Sequence, residues 1–139
     1  MAGSTEWPVL GVINTSTEIR DLLTLVFEAE GFRVISAFVP DLKRGAPTMD
    51  DFLRQHRPVV VIYDIAIPYE ENWRFFTRVE DSAAGQLTRF VLTTTNKRAL
   101  EDIVGPTPTL EIIGKPYDLD QLVAAVQRAI ADRPVETAD

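Results

Sequence analysis

Val59-Val60-Val61-Ile62-Tyr63-Asp64 is the most strand-like run in the chain, five β-branched or aromatic residues in a row closed by a carboxylate. Unbroken hydrophobicity over that length predicts a strand buried on both faces, the central one of a parallel sheet, with Asp64 at its carboxyl end. Working outward, Pro8 to Ile13 is a second apolar run that stops at polar Asn14. Thr15-Ser16-Thr17-Glu18 then has capping-box spacing, with Thr15 as helix N-cap. Ile19, Leu22, Leu23, Val26 and Phe27 follow at helical intervals, and Gly31 closes the helix.

Phe32 to Phe38 reads as a strand and Val39 to Thr48, with its two prolines and Gly45, as a loop. Met49 to His56 reads as a short helix carrying Phe52 and Leu53 inward. Beyond Asp64, the pattern predicts a helix over Glu71–Glu80, a strand over Thr88–Thr93 and a short helix over Lys97–Val104 ended by Gly105-Pro106. A fifth strand, Leu110–Ile113, precedes a last helix opened by Asp118-Leu119-Asp120-Gln121 and striped by Leu119, Leu122, Val123, Val126 and Ile130. Five strands alternating with five helices imply an α/β fold: an open five-stranded parallel sheet, doubly wound (βα)5, a three-layer sandwich of the flavodoxin kind. In such sheets the working site lies beyond the carboxyl ends of the strands, where Asn14, Thr15, Asp64, Thr93, Thr94 and Lys115 all fall.

With 139 residues the chain has room for one domain, expected over 8–133, with flexible termini at 1–7 and 134–139. A net charge of −7 without a basic patch argues against nucleic acid, and no run approaches the roughly 18 apolar residues of a membrane span. The absence of cysteine excludes disulfides and thiol chemistry. Met1 to Glu6 is small and polar, unlike a signal peptide, so a cytoplasmic location is expected. His56 is the sole histidine, expected at a solvated helix end, and supports neither catalysis nor a metal site.

Three segments in order at strand ends resemble the receiver domains of two-component response regulators, the CheY-like family. They are Leu10 to Arg20, Arg57 to Pro68 with Pro68 four residues beyond Asp64, and Ile113-Gly114-Lys115-Pro116-Tyr117. Leu92-Thr93-Thr94-Thr95 is similar to the segment carrying the family's switch hydroxyl, with Thr93 and Thr94 both open for that position. The resemblance covers Val9 to Ala131, with Val39–Thr48 longer than usual. It implies that Asp64 occupies the phosphoacceptor position, that Lys115 is the family's lysine, and that the protein is a signalling module, not an enzyme. Partners implied are a histidine kinase, another regulator, or a second copy docking through residues 97–131.

Two departures alter the expected chemistry. The family holds Mg²⁺ with an acidic pair, and here Asn14 and Thr15 stand in its place. Asp64 and Lys115 alone sum to zero, so the pocket is expected to need no metal, with Lys115 as standing counter-ion and phosphorylation at Asp64 impaired or absent. Ile112 stands where many receivers carry an aromatic switch residue. The competing readings are an active phosphoacceptor with unusual Mg²⁺ ligation helped by Glu70 or Glu71, and a flavodoxin-like cofactor binder, which lacks a glycine-rich phosphate loop. Set beside these are blander roles: Asp64 as a turn cap, Lys115 as a solvated lysine, Thr93–Thr95 as a plain strand end, and Trp73, Phe75 and Phe76 as packing.

Overall fold

A computed structural model describes residues 7–14, 16–105 and 111–131. Its sheet has five parallel strands, β1 Val9–Asn14, β2 Arg33–Phe38, β3 Val60–Asp64, β4 Arg89–Thr94 and β5 Glu111–Gly114, in the order β2-β1-β3-β4-β5. β3 is therefore central, and all of its residues are buried. The termini expected to be flexible lie outside the described residues except Trp7, which is 55% exposed. Pro106 and Leu110, expected to end a helix and begin β5, also lie outside them.

Strand alternation divides the core. Ile13, Val61, Tyr63, Phe90 and Leu92 point to one face, where they meet Leu42, Phe52, Phe76 and Leu100. Leu10, Val12, Val60, Ile62, Val91 and Ile113 point to the other, against Leu23, Phe27, Leu122 and Val126. The first face is covered by α2 Val39–Arg44, α3 Met49–His56, α4 Tyr69–Asp81 and α6 Lys97–Val104, and the second by α1 Thr17–Ala29 and α7 Leu119–Ala131. A short α5, Ala83–Gln86, turns the chain from α4 into β4.

Seven helices among the described residues replace the five expected. The main correction is α2, which occupies part of the segment expected to be a loop. Pro40 falls in its first turn, where a missing N–H costs nothing, and Asp41 near its start and Lys43 and Arg44 near its end complement its dipole. Gly45 closes it in the left-handed region at φ 79°. Val39 and Leu42, three residues apart, are both buried, and this burial makes so short a helix stable.

A second correction concerns α1. Its N-cap is Ser16, whose Oγ accepts from the Ile19 amide at 3.3 Å, in place of Thr15, itself outside the described residues. Leu22, expected on the buried stripe, is 43% exposed, leaving Leu23 and Phe27 as the buried anchors. His56 is half-buried against Phe52, with ring centroids 5.0 Å apart, instead of fully solvated.

Candidate functional site

The alternation that divides the core also builds the site. Asn14 continues the Leu10–Val12 face of β1, Asp64 the Val60–Ile62 face of β3, Thr93 the Val91 face of β4, and Lys115 the Ile113 face just past β5. Four polar side chains thus leave the same side of the sheet at one edge. Parallel register aligns Asp64 with Thr93, and the Lys115 amide extends the ladder by donating to the Thr94 carbonyl at 2.7 Å.

Asp64 is 5% exposed, and its Oδ1 receives two donors. The Thr93 hydroxyl donates at 2.7 Å and the Lys115 ammonium lies at 2.6 Å. Unit charges 4 Å apart attract by about 4 kcal/mol at an effective dielectric of 20, before desolvation is subtracted. Asn14 is buried beside this cluster's edge, and its Oδ1 accepts from the Ser16 amide at 3.1 Å. Thr94, the other candidate for the switch position, faces the opposite side, where its hydroxyl accepts from the Asn96 amide at 3.4 Å. Thr93 is therefore the hydroxyl that meets Asp64.

The field of Asp64 is felt nearby. Burial first, and the Asp64 charge second, raise the Tyr117 phenol above its ordinary range. The same two causes, in the same order, also raise the Tyr63 phenol. Ile112 packs half-buried against the core on the α6 side.

The cation that meets Asp64 here is the Lys115 ammonium. Mg²⁺ favours octahedral oxygen ligation built on carboxylates, whereas among the described residues no three His, Cys, Asp or Glu side chains converge. Glu70 and Glu71 are exposed on the first turn of α4, and Glu71 lies 3.8 Å from Lys43.

Two contacts near the site escaped the sequence reading. The Tyr69 and Thr95 hydroxyls are 3.0 Å apart, joining the start of α4 to the turn after β4. Asn72 donates to the Ala66 carbonyl at 2.8 Å and accepts from Lys43. The available signal was a polar residue at 72 on the same helical stripe as Phe76 and Val79.

Comparison with known proteins fits this architecture. No protein-family model matches the chain. Response regulator Rre1 of Synechocystis sp. is 30% identical over 95 residues, a match covering 68% of this chain and 41% of that protein. The chain belongs to the receiver-domain family of response regulators. A signal receiver domain from Clostridium thermocellum superposes with a TM-score of 0.70 at 18% identity, covering 88% of this chain and 97% of that chain. A response regulator from Thermotoga maritima gives 0.67 at 22% identity, with coverage of 90% and 98%. Chemotaxis response regulator CheY4 of Vibrio cholerae gives 0.67 at 21%, with coverage of 88% and 98%. At these identities the structures speak to the fold alone. No helix among the described residues is long and apolar enough to cross a membrane.

Proposed function

We propose that this receiver domain acts in two-component signalling chiefly through protein–protein contact, with phosphorylation at Asp64 impaired or absent. The observation carrying this reading is the Lys115 ammonium 2.6 Å from Asp64 Oδ1, an oxygen that also accepts from Thr93. Two donors on that oxygen draw electron density from the carboxylate and lower its nucleophilicity before any phosphodonor arrives. Asn14 and Thr15 add no charge that would require a divalent ion. Lys115 serves as counter-ion, Thr93 as orienting hydroxyl, and Asn14 as a neutral wall.

The domain is then a cytoplasmic, non-enzymatic binding module. Its partner is a histidine kinase, another regulator, or a second copy engaging residues 97–131. Incubation with acetyl phosphate and Mg²⁺, followed by intact mass measurement, tests the chemistry. No gain is expected. A labile gain of one phosphoryl group that disappears in Asp64→Asn would overturn the reading in favour of an active phosphoacceptor.

A further inference from the structure

We propose that Lys43 and Asn72 are positioning residues that couple α2 to the main chain immediately after Asp64. Asn72 lies in the first turn of α4 and is 8% exposed. Its Nδ2 donates to the Ala66 carbonyl at 2.8 Å, and its Oδ1 accepts from the Lys43 ammonium. A carbonyl only accepts and an ammonium only donates, so the two partners fix which way the amide points. The bridge therefore runs in one orientation, from α2 through a buried amide to the backbone two residues past Asp64.

The segment it reaches is held on both sides. The Ile65 amide donates to the Thr93 carbonyl at 2.9 Å, and the Asn72 amide donates to the Pro68 carbonyl at 3.1 Å. Between those points the Ala66 carbonyl is tied by the Asn72 side chain, while the Tyr69–Thr95 hydroxyl contact fixes the far end. Removing the Lys43 charge frees the Asn72 amide to rotate away, which leaves the Ala66 carbonyl without its donor. Displacement of α2 by a bound partner acts in the same way, so α2 sets how firmly the backbone behind Asp64 is held. The coupling holds whether or not Asp64 accepts a phosphoryl group.

Amide hydrogen exchange by NMR on the full chain tests it. Lys43→Met keeps the length of the side chain without its charge, and exchange at Ile65 and Asn72, whose amides donate to the Thr93 and Pro68 carbonyls on either side of the tied Ala66 carbonyl, is expected to quicken about tenfold. Asn72→Ala is expected to match it, the double variant to add nothing further, and Lys43→Arg to retain protection. Glu71→Gln, which alters only the longer Lys43–Glu71 pair at 3.8 Å, is expected to leave those amides unchanged. Additive effects, an equal response to Glu71→Gln, or the same acceleration at Val12 and Ile13 of β1 would each overturn the proposal, the last by revealing general loosening.

Discussion

Asp64 lies in a nearly closed site, where Lys115 and Thr93 stand in for the water it has lost. Burying a carboxylate costs several kcal/mol, so a close cation decides whether the site is tolerable. Lys115→Met leaves that charge unpaired and is expected to lower stability by about 3 kcal/mol, measured by urea unfolding. Adding Asp64→Asn removes the stranded charge, so the double variant is expected to regain most of the loss. Equal and additive losses would mean that the two groups do not act as a pair. Tyr117 gives an independent reading of the same field. Its folded-state pKa is raised, by burial and then by Asp64, so the folded protein holds the phenol proton more tightly than the unfolded chain. Stability from this group is complete below about pH 10 and falls as the pH climbs through the folded value. A phenolate absorbance titration, taken as the difference from Tyr117→Phe, is expected to show late ionisation. Asp64→Asn is expected to bring it only part of the way back, since burial is the larger cause.

Secondary elements differed in how plainly the chain announced them. β3 was evident because a strand buried on both faces must be apolar throughout, and Val60 to Tyr63 satisfies this without interruption. α2 was hidden because Pro40, Gly45 and Pro47 read as a loop, although a proline in the first turn and a glycine at the close are also what delimit a short helix. The difference lies in burial of Val39 and Leu42, a tertiary fact. Leu42→Ala is accordingly expected to cost about 2–4 kcal/mol by opening a cavity, as judged by thermal or urea unfolding. A cost within about 0.5 kcal/mol, the range for surface positions, would mean that α2 does not pack as described. The choice between Thr93 and Thr94 had a similar origin. Period-two alternation puts them on opposite faces, but only the pairing of Asp64 with Thr93 reveals which face carries the carboxylate. Thr15 and Ser16 are both good caps by chemistry, and only backbone geometry selects Ser16.

The doubly wound sheet explains why residues from 14 to 115 of the sequence converge: all neighbouring strands pair in parallel, so every carboxyl end comes to one edge. The architecture persists in receivers only 18% to 22% identical to this chain, which speak to the fold alone. Here the edge holds a carboxylate, an ammonium, a hydroxyl and an amide, a set that balances its own charge although the chain as a whole carries −7. Acid surfaces elsewhere attract divalent ions diffusely, and such weak attraction does not saturate. A ¹H–¹⁵N titration of the protein with Mg²⁺ into the millimolar range separates the two cases most directly. A self-neutralised pocket predicts that the amide resonances of Asn14, Asp64, Ile65, Thr93 and Lys115 hold their positions. Saturable shifts confined to those residues would mean that the pocket binds the ion and that Lys115 is not the standing partner of Asp64.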